Sequence, residues 1–209
     1  MAVLASEHYN SATGLVIIPD SHADSCGALR GFTTISASHP VPDSRSVHAA
    51  SSVLKIASGL TSKDLLLFLV SGGGSSLMCL PVHGVPLDAK QELTRQLLSC
   101  GATISEINCV RTHLSQVKGG RLAAETDAPV VTLAISDVPG IDPALIASGP
   151  TAADRTSIAD ARSVIEIYQL NPGAEVSDAL FDPANESPST SLMEHPGRLE
   201  VVASGQVAL

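Results

Sequence analysis

The chain has 209 residues, 44% hydrophobic and 2% aromatic with no tryptophan, so one well-buried domain must pack Ala, Val, Leu and Ile, as parallel strands covered by helices do. Its formal charge of −9, from 12 basic against 21 acidic residues, argues against a basic nucleic-acid groove or a patch for anionic membranes, and the lack of aromatic rings against base stacking. The apolar run near Leu65 is too short to span a bilayer and no basic segment followed by an apolar one opens the chain, so a cytoplasmic location is expected.

Residues 1–11 carry little pattern and read as a frayed lead-in. Gly14 to Ile18 is predicted as a short buried strand closed by Pro19, and Phe32 to Ala37 as a second, leaving through His39-Pro40-Val41-Pro42-Asp43. Ser44 is placed as cap of a helix whose Val47, Ala50, Val53, Leu54 and Ala57 repeat at helical spacing up to Gly59. The strand of Asp64 to Val70 follows, and strand, helix, strand in that order reads as a right-handed βαβ unit.

Beyond a glycine-rich loop, Asp88 heads a helix through Cys100 with Leu93, Leu97 and Leu98 on one side. Thr103 and Glu106 match a capping box opening a helix that turns Ile107, Val110 and Leu114 to one face, with Asn108, Arg111 and Ser115 elsewhere. Lys118-Gly119-Gly120-Arg121 breaks it. Pro129 to Ile135 is the next buried strand, and Ser157 to Tyr168 a further helix. From Asn171 to Pro196 the composition turns to Pro, Ser, Asp, Glu and Asn, as in a mobile connection, before a last strand over Leu199 to Ala203. That parallel strand lacks a returning helix, so the chain is expected to be part of something longer.

The pattern predicts an α/β fold: a Rossmann-like, open, mostly parallel sheet with helices on both faces, truncated, over residues 1–170, with residues 171–209 as connection and final strand. Cys26, Cys79, Cys100 and Cys109 contain no CxxC pair and read as reduced packing thiols.

Chemistry concentrates in the loops at strand ends. Ser71-Gly72-Gly73-Gly74-Ser75-Ser76 follows a buried strand, where glycines let backbone N–H groups converge on a phosphate or carboxylate; an ordinary glycine turn fits the local pattern equally well. No Lys-Ser/Thr follows at Walker spacing, and Leu77 stands where a dinucleotide fingerprint needs its third glycine. Ser75 or Ser76 as a covalent nucleophile lacks the closing glycine of G-x-S-x-G. Asp137, just past another buried strand, is a candidate for holding Mg²⁺ or taking a hydroxyl proton, or else a turn-forming Asp. Arg111 and Lys118, about two turns apart, suit a phosphoryl substrate if one helix carries both, or else a solvated face. His39 and His113 read more readily as surface or capping histidines than as bases.

Five motifs in order, HPVPD from His39, SGGGSSL from Ser71, GATISEINCVRTHLSQVKGGRLA from Gly101, SDVPGIDP from Ser136 and IASGPT from Ile146, resemble the bacterial glycerate 2-kinase family, whose members are often labelled hydroxypyruvate reductase and pair an N-terminal Rossmann-like domain with a C-terminal MOFRL domain. The resemblance implies ATP-dependent phosphorylation of the 2-hydroxyl of D-glycerate to 2-phosphoglycerate, with Mg²⁺ assisting. It implies that the Ser71 to Ser76 loop and Asn108 bind phosphate or the glycerate carboxylate, that Asp137 lies near the metal or the attacking hydroxyl, and that Arg111 and Lys118 meet anionic oxygens.

There are departures from the family pattern. No GAGKA-type glycine-lysine loop precedes Gly14, no MOFRL domain follows, Thr112 replaces the usual lysine after Arg111, Ile141 stands where an acid is usual, and the loop at His22 lacks a glycine-histidine pair. The chain alone is therefore expected to have little or no kinase activity, a C-terminal domain acting in trans being the implied partner. Two other readings stay open: a non-catalytic small-anion binding remnant, and an NAD(P)H-dependent hydroxypyruvate reductase, which Leu77 counts against.

Overall fold

Short β-rich runs ending at glycine or proline, and apolar stripes opened by capping residues, fold as those signals dictate. The structure, a computed structural model, describes residues 1–9, 11–25, 27–136, 143–188 and 198–204. In chain order the helices and strands are α1 (Ala2–His8), β1 (Gly14–Pro19), β2 (Phe32–Ala37), α2 (Ser44–Ser58), β3 (Leu66–Val70), α3 (Gly74–Leu77), α4 (Leu87–Ser99), α5 (Ile104–His113), α6 (Arg121–Ala124), β4 (Val130–Ser136), α7 (Ile158–Ile167), α8 (Ala174–Phe181) and β5 (Arg198–Ser204).

All registered strand pairs are parallel: β1 with β2, β3 with β4, and β4 with β5. The ladders form a two-stranded group and a three-stranded group in the order β3-β4-β5, so β2 and β3, joined through α2, are not hydrogen-bonded neighbours. The α/β class and the parallel strands are as predicted; the division of the ladders is not visible in hydropathy, which marks strands but not their order.

Three packing centres hold these elements. The largest lies among helices, where Leu93 and Leu97 of α4, Ile107 and Val110 of α5, Val164 of α7 and Val176 and Leu180 of α8 are buried together. A second joins Ala50 and Ala57 of α2 to Met78, Val117 and Leu122, with Ile17 and Phe68 against it. A third, of Val70, Ala134 and Ile146, closes the carboxyl ends of β3 and β4. Each buried Val, Leu, Ile or Met side chain among them contributes roughly 1.5–3 kcal/mol of transfer free energy, the alanines less.

Several expectations need correction. Residues 2–8 are helical, though α1 buries nothing. Asp43, not Ser44, caps α2, its carboxylate accepting from the Arg45 and Ser46 N–H groups at 3.0 and 3.1 Å. Leu98 is 65% exposed. At about 100° per residue it turns off the stripe of Leu93 and Leu97, and the position three before Leu93 is Lys90. The stretch beginning at Asn171 contains α8, whose Val176 and Leu180 are 0% and 2% exposed, so a mobile connection is not what residues 174–181 form. Its turn-rich flanks masked a helix whose apolar residues fall three and four apart.

Candidate active site

The site forms where three loops meet at the carboxyl ends of β3 and β4. After β3 the chain turns at Gly73, whose φ of 83° and lack of a side chain are both required: a Cβ there would lie 3.0 Å from Nε2 of His39. HPVPD and SGGGSSL thus touch through that ring. Gly74 opens the four-residue α3, and a Cβ on it would lie 3.0 Å from that of Ala147. The glycine lets the 147–149 loop approach closely.

α5 is fixed by the predicted capping box, Thr103 Oγ1 accepting from Glu106 N and Glu106 Oε2 from Thr103 N. It places Asn108 and Arg111 toward the loops. The helix stops at His113 with Leu114 as its cap, so Arg111 and Lys118 do not share one helix. They converge because the chain doubles back: Gly119 N and Gly120 N donate to Ser148 O and Gly149 O at 3.1 and 2.8 Å, pairing KGG with ASG. Ala147 and Ser148 both have positive φ, 53° and 59°, an uncommon conformation for residues with side chains that aims the Ala147 carbonyl and the Ser148 hydroxyl into the site.

Ser75 is the meeting point. Lys118 Nζ donates to Ser75 Oγ at 2.6 Å and to Ala147 O at 3.0 Å, Arg111 Nη2 donates to Ser75 Oγ at 3.0 Å, and Ser148 Oγ lies 3.3 Å from it. Ser148 Oγ in turn donates to Asn108 Oδ1 at 3.2 Å. Four of the predicted residues, Ser75, Asn108, Arg111 and Lys118, are therefore in one hydrogen-bonded cluster with Ser148.

The cluster is cationic and desolvated. Lys118 is 1% exposed, and burial, then the neighbouring Arg111 and Lys90 charges, hold its pKa well below the usual lysine value. Burial likewise lowers the Arg111 pKa. Lys90, 4% exposed on α4, is pushed down to about 8, burial being the chief cause, and its ammonium donates to the carbonyls of Leu114 and Arg111 at the end of α5. Among the described residues Lys90, Arg111 and Lys118 make no hydrogen bond or ion pair to a carboxylate. Buried positive charge without a counter-ion is costly, and an anion offsets that cost.

Beside the cluster lies a cavity of about 190 Å³, bordered by Asn108, Thr112, Gly119, Ser148, Asp154 and Thr156. Among the described residues no group of three or more His, Cys, Asp and Glu side chains is placed to hold a metal ion.

The other predicted residues are placed less centrally. Ser71 and Gly72 are exposed, and the Ser76 hydroxyl is turned into its own turn, donating to Gly73 O at 3.1 Å. Asp137, and Ile141 with Asp142, lie outside the described residues. His113 is fully buried, not a surface group; its Nε2 lies 3.1 Å from Glu186 Oε1 and its Nδ1 3.0 Å from Cys109 O. His39 is exposed, over Gly73. Sequence reading missed Lys90, and it marked Ser148 only as part of the IASGPT motif, with no role of its own. A lysine on the leucine stripe of α4 was a usable signal for the first; for the second, the motif gave the place but not the contact with Ser75 and Asn108.

Fold and site together define an α/β domain in which Arg111 and Lys118 converge on Ser75 beside a polar pocket. The chain belongs to the family described as "Domain of unknown function (DUF4147)", which matches residues 1–181. It is 44% identical over 198 residues to a protein from Agrobacterium vitis named "Putative hydroxypyruvate reductase", a match covering 94% of this chain and 44% of that protein. It is 41% identical over 195 residues to the D-glycerate 2-kinase of Thermotoga maritima, covering 93% of this chain and 44% of the relative. The crystal structure of glycerate kinase from Thermotoga maritima superposes with a TM-score of 0.82 at 39% identity, over 96% of this chain and 47% of that one. The motif resemblance to the glycerate 2-kinases thus holds across almost the whole chain, which spans about half the length of these relatives. No helix among the described residues is long and apolar enough to cross a membrane.

Proposed function

We propose that this chain forms the anion-binding wall of a D-glycerate 2-kinase, which transfers the terminal phosphoryl group of ATP to the 2-hydroxyl of D-glycerate. The observation that carries the reading is the convergence of half-buried Arg111 and buried Lys118, neither with a carboxylate partner among the described residues, on Ser75. Phosphoryl transfer needs positioning and neutralisation of charge on non-bridging oxygens more than covalent help, and a desolvated Arg–Lys pair supplies both.

In this reading the glycerate carboxylate or a phosphate takes the donors of Arg111 and Lys118, with Ser75 and Asn108 fixing its orientation through their hydroxyl and amide. Asp137 follows Ser136, the last residue of β4, and is proposed to accept the proton of the attacking hydroxyl. Mg²⁺, brought in with the nucleotide, would neutralise charge on the phosphoryl oxygens, with Asp137 as the candidate ligand on this chain.

Isothermal titration of D-glycerate and of inorganic phosphate into the purified chain tests the binding half of the proposal. One site is expected, weakened at least about tenfold by Arg111→Met, the loss of a charge-assisted hydrogen bond. Binding indifferent to Arg111 would sink it. An assay detecting 2-phosphoglycerate from ATP and D-glycerate tests the chemistry, and hydroxypyruvate-dependent oxidation of NADPH would instead favour the activity named for the Agrobacterium relative.

A further inference from the structure

We propose that Ser75 is itself a nucleophile, with Lys118 as its proton acceptor, so that the site can form a covalent bond between Ser75 Oγ and an activated phosphoryl electrophile. This goes beyond the kinase reading and does not depend on it.

The juxtaposition is a short one. Lys118 Nζ stands 2.6 Å from Ser75 Oγ, inside the distance at which a proton passes directly between the two. The amine is held there by its second bond, to Ala147 O at 3.0 Å, from a residue in a left-handed conformation that fixes the carbonyl's direction. Ser75 lies on the first turn after a parallel strand and is half-buried, while Lys118 behind it is 1% exposed.

A serine hydroxyl is a weak nucleophile until a neighbour removes its proton, and a lysine can do so only when neutral. Burial and the adjacent Arg111 and Lys90 charges act in that direction on Lys118. Arg111, 3.0 Å from the same oxygen, stabilises negative charge developing there and remains charged throughout. Ser148 Oγ, 3.3 Å away, supplies a second hydroxyl to the incoming group. The same cations stabilise the negative charge that develops on a phosphoryl oxygen as the Ser75 bond forms, which suits a phosphorus electrophile.

The step balances without any oxidant or metal. Ser75 Oγ attacks phosphorus, a P–O bond forms and the bond to the leaving group breaks. The serine proton passes to the Lys118 amine, and from the resulting ammonium to the leaving group or to water.

An alkyl fluorophosphonate is the probe, its leaving group being fluoride. The purified chain is incubated with it, and the adduct is read by intact mass and located by tandem peptide mapping. One adduct per chain, on Ser75, is expected, absent in Ser75→Ala. Lys118→Arg keeps the positive charge but cannot accept a proton, and should slow labelling by about a hundredfold. An unlabelled wild-type chain, adducts spread over exposed serines such as Ser71, or Lys118→Arg labelling at the wild-type rate would overturn the proposal. The wild-type peptide map decides alone if the Lys118 variant fails to fold. Failure of labelling leaves glycerate binding as a separate question, and the converse also holds.

Discussion

Lys118 Nζ donates to Ser75 Oγ at 2.6 Å although 43 positions separate the two residues in sequence. The contact joins two motifs that, read singly, were a glycine turn and a helix end. Lys118→Met should therefore cost D-glycerate affinity at least about tenfold, since a charge-assisted hydrogen bond contributes roughly 1.5–3 kcal/mol. Titration calorimetry on wild type and variant checks this, and equal affinities would show that the anion binds elsewhere.

Affinity for D-glycerate should also fall as pH rises. The lysines are depressed in the folded protein, Lys118 well below its usual value and Lys90 to about 8, and a bound carboxylate favours their charged forms. Binding then takes up protons wherever either amine is neutral beforehand. Calorimetry in two buffers of different ionisation enthalpy should report proton uptake that grows toward pH about 8; uptake of zero across the range would mean that neither lysine faces the ligand.

Lys90 makes a separate prediction about stability. Its folded pKa of about 8 lies below the ordinary lysine value of 10.5, so between those values the unfolded chain binds more protons and stability rises with pH. The shift corresponds to about 3 kcal/mol, carried as a cost at neutral pH. Urea melts of the wild type between pH about 7 and 10 should show this rise, and Lys90→Met should flatten it. The variant's absolute stability is less informative, because it also strips the donor from the Leu114 and Arg111 carbonyls.

What the sequence reveals and what it hides divide along a physical line. Local rules were enough for β2, for the Thr103–Glu106 capping box and for the buried face of Ile107, Val110 and Leu114, because each depends on residues a few positions apart. The motif likeness also brought Arg111, Lys118, Ser75 and Asn108 together as candidates, and the fold does place them in one cluster. Hidden were facts set by distant partners: that Lys90 turns inward beneath α5, that His113 is enclosed by Glu186, and that Ser148 meets Asn108. Helix α8 was hidden for another reason, its eight residues being too short for periodicity to outweigh proline-rich flanks.

Gly119 should resist substitution by alanine. Its φ is 62°, and a Cβ there would lie 2.5 Å from Cγ2 of Thr112, a buried residue of α5. The left-handed conformation and the clash together should cost about 1–3 kcal/mol. A shortened side chain at the neighbour removes the clash but not the strain, so Gly119→Ala combined with Thr112→Ser should recover part of the loss in a denaturant melt. No recovery would place the whole cost in the backbone.

Leu180→Ala tests whether α8 belongs to the folded unit. Leu180 is 2% exposed in the cluster that includes Leu97, Val110 and Val164, so its truncation leaves a void among four helices rather than a surface notch. The expected cost is about 2–5 kcal/mol. Phe181, the next residue, is 69% exposed and packs only its face against Arg162, whose guanidinium carbon lies 5.0 Å from the ring centre. Phe181→Ala should therefore cost under about 1 kcal/mol, the scale of an exposed cation–π contact. Similar losses for the two variants, or a negligible one for Leu180→Ala, would mean that residues 174–181 do not dock as α8 does here.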